Sequence, residues 1–459
     1  MQRLWHAGSR FGWFLPDAPH ARIIAARERG LLLLAALFVI VSQAGLALAR
    51  AESPLSFWPI LVWMACCAAL HLALNTLLPN RDSAIAPVAM LLAGWGLVLI
   101  ARLAPPFVSR QAVWLVISTL AAIGVALLPP ALRQLSRYRY LWLLSGLVVL
   151  GATLVAGVNP SGDERAPRLW LDFGVIFLQP SEILKLLLVI FLASFLADKR
   201  DLILSTQIRV YRWLIPSPPY FAPMVLMWGF CMVMLVWQRD LGAASLFFLI
   251  FLAMVYVSTG QAGYLLAGSG LLGLAGVIGY GLYGVVRQRV DTWWNPWPEA
   301  SDRAFQIVQS LLAVATGGIF GQGVGQGQPT MVPVVHSDFV FAAIAEEWGL
   351  IGALAVIACL AVLVLRSLRI AAQFPDKPFH SLLATGIGVA LGVQSLLIMA
   401  GVVKLVPLTG VTLPFVSYGG SSLLSSFIMI GLLLRLSDPA GSLARHDTAP
   451  IIHKTDLAT

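Results

Sequence analysis

The chain is short of charge. Asp, Glu, Lys and Arg make up only 11% of its 459 residues, whereas soluble domains carry about 25%. A water-soluble enzyme of this length is therefore excluded. It is also short of cysteine. Cys66, Cys67, Cys231 and Cys359 all sit in apolar runs without metal-ligand spacing, so they imply neither a disulfide framework nor a zinc site. Long polar domains are missing, and so are the ten-residue alternating segments of a porin-type barrel. No cleavable leader is visible: the first apolar run starts near Gly30, with no small-residue cleavage site and soluble domain after it.

What the chain has instead is apolar length. Hydrophobic residues reach 59% and the mean hydropathy is +0.85, a load that neither a disordered protein nor a repeat solenoid tolerates. Because about 20 apolar residues cross a bilayer as a helix, the sequence reads as an all-α polytopic membrane protein. Twelve spans are expected, near 30–50, 57–79, 85–104, 112–129, 141–158, 181–197, 220–237, 242–258, 263–284, 341–365, 381–403 and 419–435. The net charge of +9 is read as loop charge at a membrane face, not as a nucleic-acid footprint. With the N-terminus inside, 19 of the 30 Lys and Arg residues fall on the inner side. That bias predicts both termini cytoplasmic, with residues 159–180 and 285–340 outside. The stretch from Arg165 to Leu178, rich in Leu169, Trp170, Leu171 and Phe173, is expected to lie at the interface or re-enter. Residues 1–29 and 437–459 are read as cytoplasmic ends, the tail after Asp438 as disordered.

Ionisable groups at membrane depth are costly and mark candidate sites. Four stand out. In Gln179-Pro180-Ser181-Glu182, followed by Lys185, the acid and the base are three residues apart on one helix face. They read either as a structural ion pair or as part of a cavity for an anionic lipid head. In Gln238-Arg239-Asp240-Leu241-Gly242, Asp240 reads first as a helix cap. His336-Ser337-Asp338-Phe339 ends the largest external loop. There Asp338 is either a cap or, in a row with Glu346 and Glu347, a carboxylate for proton abstraction or a divalent cation. Finally, Lys404 precedes Pro407-Leu408-Thr409-Gly410 and the run through Ser417 to Ser422, a composition that demands a broken helix or re-entrant loop beside a cation. Arg287, Arg289 and Arg303 in the external loop are further phosphate or sugar contacts. Trp293, Trp294 and Trp297 read as interfacial anchors. The run from Gly321 to Gly327 evokes a dinucleotide loop but lacks a βαβ unit, and the scattered histidines form no metal cluster.

Together these segments resemble the SEDS family, which comprises FtsW, RodA and SpoVE. Gln179 to Lys185 matches its Gln-Pro-Ser-Glu run with Lys, and Arg168-Leu169-Trp170-Leu171-Asp172 approximates its Arg-Trp-Leu-Asp element. Asn295-Pro296-Trp297, Gln309-Ser310, Gly317 to Gly323, His336 to Gly352 and Pro407 to Ser422 match later blocks in order. The likeness covers about residues 85–436. It departs at Pro333-Val334-Val335, where the family carries Pro-Glu, at Ser337 in place of Thr, and at Arg239 and Ala243 in place of Pro and Thr. Most members look like ten-span proteins, so residues 30–84 read as two added spans.

The resemblance implies a peptidoglycan glycosyltransferase of the bacterial cytoplasmic membrane, acting at its outer face in cell division or cell-shape maintenance. It implies Asp338 as the essential carboxylate, lipid II as substrate and inversion at the donor sugar. Glu182, Lys185, Arg239, Asp240, Arg303, His336, Lys404 and Ser417 are the expected substrate contacts. A divalent cation, Mg or Mn, is admissible, an organic cofactor is not expected, and metal ligands are not identified. A class B penicillin-binding transpeptidase is the expected partner and nucleic acid is not. Two other readings compete: a lipid II flippase, since broken helices and buried charge also suit transport, and a scaffold for a cell-wall complex.

Overall fold

The computed structural model describes residues 18–438 apart from 51–56, 130–131, 161–166, 175, 206, 211–212 and 217. Fifteen α-helices are present among them: α1 (Ala18–Arg50), α2 (Trp58–Leu77), α3 (Ile85–Leu103), α4 (Val108–Ala126), α5 (Arg133–Arg137), α6 (Arg139–Ala156), α7 (Pro180–Ser205), α8 (Pro218–Trp237), α9 (Leu241–Thr259), α10 (Ala262–Leu282), α11 (Gly284–Trp294), α12 (Phe305–Gly317), α13 (Val340–Ala371), α14 (Pro378–Val402) and α15 (Gly420–Ser437). Eleven of the described helices are long and apolar enough to span a membrane, and α8 supplies a shorter apolar stretch, Phe221–Trp237. The protein is thus an all-α polytopic membrane protein, and each expected span falls on one helix. The expected N- and C-terminal extensions before residue 18 and after 438 lie outside the described residues.

Burial sorts the helices into layers. α3, α7, α14 and α15 make up the buried centre, while α6 and α10 turn most of their surface outward. Lipid tails are as apolar as leucine, so close packing, and not exclusion of water, holds such helices together. The contacts fit that rule. A Cβ added at Gly94 of α3 would sit 2.7 Å from Trp63 Nε1 of α2, and the same Trp63 Nε1 donates to the Met90 carbonyl at 2.8 Å. α1 lies along α3, with Phe38 edge-on to Trp95 at 4.7 Å. At one end of the bundle Glu28 (α1) receives both Arg81 Nε and Nη2 at 2.7 Å. His71 Nδ1 lies 2.6 Å from the same carboxylate, and Asn75 Oδ1 accepts from Arg81 Nη2 at 2.8 Å. Every member of this buried network is paired, which is the condition for a charge to be tolerated inside.

Two segments carry structure that run length did not register. One is the stretch preceding α7. Its described part forms a small antiparallel sheet of β1 (Gly157–Val158), β2 (Trp170–Asp172) and β3 (Phe177–Leu178) in that order, with Leu171 opposite both Gly157 and Leu178. Arg165 lies outside the described residues. A second two-stranded sheet, β4 (Gln207–Val210) with β5 (Trp213–Pro216), joins α7 to α8. The segment 285–340 is not one loop: it contains α11 and α12, and the apolar face of α12 (Ile307, Val308, Ala313) is buried.

The α13 helix is broken at Gly349, whose φ is 68°. A break at membrane depth frees backbone groups that must be satisfied elsewhere. The glycine run supplies the partners. Gln322 N and Gly323 N donate to the Glu346 and Glu347 carbonyls, while Leu350 N and Ile351 N donate to those of Gly318 and Ile319. A Cβ at Gly349 would come within 2.3 Å of Gly321 N, so only glycine permits the approach. That is the structural meaning of the run that evoked a nucleotide loop.

Candidate active site

Asp338 sits two residues before α13. It does not cap that helix, whose N-cap position is Phe339 with no side-chain cap. Its Oδ1 accepts from Ser337 Oγ at 3.0 Å, and its Oδ2 lies 3.6 Å from the point a Cβ would occupy on Gly410. Nη2 of Arg289 from α11 lies 3.7 Å from that same point, and its Nη1 donates to the Thr409 carbonyl at 3.2 Å. Gly410, at φ 73°, thus sets backbone without a side chain beside both a carboxylate and a guanidinium. Burial raises the Asp338 carboxyl above the usual carboxylate range, against the lowering effects of Ser337 and Arg289. Burial likewise lowers Arg289, while Asp338 and Asp240 pull it back up.

The backbone that holds Asp338 is gripped by the unwound segment between α14 and α15. Ser417 Oγ donates to the Ser337 carbonyl at 2.5 Å and accepts from Leu413 N at 2.9 Å. Tyr418 N donates to the His336 carbonyl at 2.8 Å. The His336 ring packs against both Phe107 and Tyr418, at 5.3 and 5.7 Å, and those two rings stack on each other at 4.7 Å. Burial lowers the His336 pKa, which favours the neutral ring.

Beneath this clamp lies the Glu182–Lys185 pair. Lys185 Nζ donates to Glu182 Oε2 at 2.6 Å and to Gln394 Oε1 at 2.5 Å, and the lysine is 1% exposed. Gln394 Nε2 in turn donates to the Thr412 carbonyl at 2.8 Å, and Ser425 Oγ to Glu182 Oε2 at 3.3 Å. The ammonium is therefore directed into the protein, and the chain of contacts runs from α7 through Gln394 to the loop that holds Asp338. Gln394 was not singled out from sequence. Its only signal is a lone amide in an apolar helix, which is costly unless bonded.

The remaining expected contacts divide. Asp240 caps α9, its Oδ1 accepting from Ala243 N at 3.0 Å, while its Oδ2 is buried without a partner and burial raises its pKa. Arg239 is exposed at φ 60° in the preceding turn. Lys404 is half-buried, at φ 60° just past α14. Arg303 is exposed in the turn before α12, so of the three loop arginines it is Arg289 that is brought to Asp338. Glu346 and Glu347 do not form a carboxylate row with Asp338. They are bonded to the glycine loop, through Gln328 N at 2.7 Å and Gly325 N at 3.1 Å. Among the described residues no three His, Cys, Asp or Glu side chains are grouped to hold a metal ion.

The family model described as "Cell cycle protein", that of FtsW, RodA and SpoVE, matches residues 88–440. The peptidoglycan glycosyltransferase RodA of Mycobacterium leprae is 33% identical over 93% of this chain and 95% of its own. The probable peptidoglycan glycosyltransferase FtsW of Geobacter sulfurreducens is 34% identical over 72% of this chain and 85% of its own. Among solved structures, one titled "Structural coordination of polymerization and crosslinking by a peptidoglycan synthase complex" superposes with a TM-score of 0.65 and 25% identity, over 78% of this chain and 98% of that one. RodA of Thermus thermophilus gives 0.56 and 25%, over 78% and 97%. The chain belongs to the FtsW, RodA and SpoVE family of cell cycle proteins.

Proposed function

We propose that this protein is a peptidoglycan glycosyltransferase that polymerises lipid II at the outer face of the cytoplasmic membrane. The observation that carries the reading is that Asp338 and Arg289 are brought together beside Gly410, at the end of a membrane-embedded bundle. A sugar hydroxyl is a poor nucleophile and needs a positioned base. A carboxyl raised by burial is a stronger base than a free one once ionised. In the proposed step the acceptor GlcNAc 4-oxygen bonds to the donor MurNAc anomeric carbon, and its proton passes to Asp338. The bond from that carbon to the phosphate oxygen breaks, its electron pair leaves with undecaprenyl pyrophosphate, and the configuration inverts. Arg289 faces the charge that develops on the leaving group. Lys404 and Arg239, for which no acidic partner is present among the described residues, are further candidates to meet phosphate.

Lys185 has a different part in this reading: with Glu182 and Gln394 it holds the loop from below. With no grouped metal ligands among the described residues, a divalent cation would have to be carried on the substrate phosphates and not in a protein cage. The relatives named as glycosyltransferases and the synthase-complex neighbour support both the activity and a penicillin-binding transpeptidase partner. The bias of loop charge supports both termini in the cytoplasm and Asp338 outside. The test is polymer formation from lipid II by the purified chain and by Asp338→Asn. Headgroup translocation in vesicles with no polymer would instead make the protein a transporter.

A further inference from the structure

The helices α1 and α2 lie before residue 88, where the family model begins, and the solved RodA chain is matched almost whole by 78% of this one. They are nevertheless built into the end of the bundle that carries Asp338. In the last turn of α1, Arg50 Nη2 donates to the Arg102 carbonyl at 2.6 Å and Nη1 to the Ala101 carbonyl at 3.3 Å. Those are the orphan carbonyls at the C-terminus of α3, where a cation is favoured. The side chain of Arg102, whose own carbonyl is so held, reaches on to the loop. Its Nε donates to Glu347 Oε1 at 2.9 Å and its Nη2 to the Gly327 carbonyl at 2.8 Å. Glu347 and Glu346 hold Gly325 N and Gln328 N of the same loop. On the opposite side the loop lies against α1 itself. A Cβ on Gly45 would stand 3.8 Å from Val324 Cβ, and one on Gly325 would stand 2.9 Å from Ala49 Cβ. The loop is therefore gripped between α1 and the Arg102–Glu347 pair. It continues from Gln328 through Pro329–Met331 directly to Asp338.

We infer that α1 is a brace for the catalytic loop, with Arg50 as a positioning residue that fixes Asp338 through Arg102, Glu347 and the glycine loop. The inference assigns a role to an element that precedes the segment matched by the family model and rests on the proposed glycosyltransferase reading. A brace differs from a lid: the loop stays on α1 throughout turnover.

Two measurements on the full-length protein test it. The first compares wild type, Arg50→Ala and Arg50→Lys by amide hydrogen exchange and by the kcat and KM of lipid II polymerisation. Arg50→Ala is expected to speed exchange across residues 318–332 about tenfold, the equivalent of one charge-assisted hydrogen bond. It is expected to lower kcat by a similar factor with KM nearly unchanged. Exchange at the Glu28–Arg81 end should not move, and Arg50→Lys should recover part of both losses. Unchanged exchange in 318–332 overturns the inference, as does a loss confined to KM. The second measurement stands if Arg50→Ala does not fold. The 3.8 Å separation at Gly45 and Val324 suits a disulfide, so Gly45→Cys with Val324→Cys should oxidise and polymerise as fast as its reduced form. Failure to form the bond, or turnover arrested by oxidation and restored by reductant, overturns it. If wild type makes no polymer, the exchange and crosslinking results still judge the brace, while the Asp338→Asn comparison judges the function.

Discussion

Replacing Gln394 by leucine removes one amide from the centre of α14 and nothing from the surface, since Gln394 is fully buried. The change keeps roughly the same volume but cuts the contacts to Lys185 and to Thr412. Lys185 loses its 2.5 Å acceptor, which leaves a buried ammonium with Glu182 as its remaining protein partner. The Thr412 carbonyl loses its 2.8 Å donor. A hydrogen bond to a charged group contributes about 1.5–3 kcal/mol, and a buried carbonyl left unpaired costs about 1–3 kcal/mol. The combined destabilisation is about 2.5–6 kcal/mol, well outside the range of an ordinary surface change. Gln394→Glu should cost less, because a carboxylate still faces Lys185 while giving the Thr412 carbonyl no N–H. Activity should suffer beyond stability, because Thr412 adjoins Leu413, whose N–H bonds the Ser417 hydroxyl that clamps the Ser337 carbonyl. Thermal unfolding of the detergent-purified variants, with polymerisation assayed where all are folded, measures both effects. A Gln394→Leu protein within about 0.5 kcal/mol of wild type, with normal turnover, would refute the coupling of the buried pair to the catalytic loop.

Three further outcomes follow from the same geometry. Arg289→Ala should lower kcat about a hundredfold, the scale of losing one donor at developing charge, whereas Arg303→Ala should remain near wild type; steady-state kinetics on lipid II separates the two. The polymerisation rate should rise with pH through the raised Asp338 pKa, because only the ionised carboxylate accepts a proton. In stability the direction is opposite. A folded pKa above the free value favours the fold at low pH, and this contribution is lost as pH rises through the folded value. Asp338→Asn should therefore gain more thermal stability relative to wild type at pH 8 than at about pH 4, near the free aspartate value, as read from unfolding midpoints. Arg81→Ala should destabilise the protein by about 3–5 kcal/mol, the cost of stranding the buried Glu28 carboxylate, with hydrogen exchange at residues 318–332 unchanged.

Apolar run length made the spans legible. Each expected segment lies on a helix, with boundaries eight residues out at the end of α7, six at the end of α13 and twelve at the start of α1, where Glu28, Arg27 and Arg29 masked a helix that continues past the apolar run. Asp240 as a cap and the unwound segment around Pro407 to Ser417 were also readable, because caps and broken helices have residue signatures. Other features were hidden by the same arithmetic. The amphipathic α12 is too short to register as a span. The strands before α7 are two or three residues each, below any periodicity. Glu346 and Glu347 read as a site because eight residues of helix take them below the surface, but the break at Gly349 turns their carbonyls toward the glycine loop. Arg289 could not be chosen over Arg287 and Arg303 from spacing, since its selection depends on where the Thr409 carbonyl of a distant segment arrives. Gln394 pairs with groups on two other elements, which no local pattern records.

The central claim, that Asp338 is the base of a glycan polymerase, is tested most directly by incubating purified wild type and Asp338→Asn with lipid II and a divalent cation, with the transpeptidase partner added in parallel, and resolving the products on a gel. The account predicts a ladder of glycan strands from wild type and none from Asp338→Asn, with both proteins equally folded. A ladder of equal intensity from Asp338→Asn would contradict it.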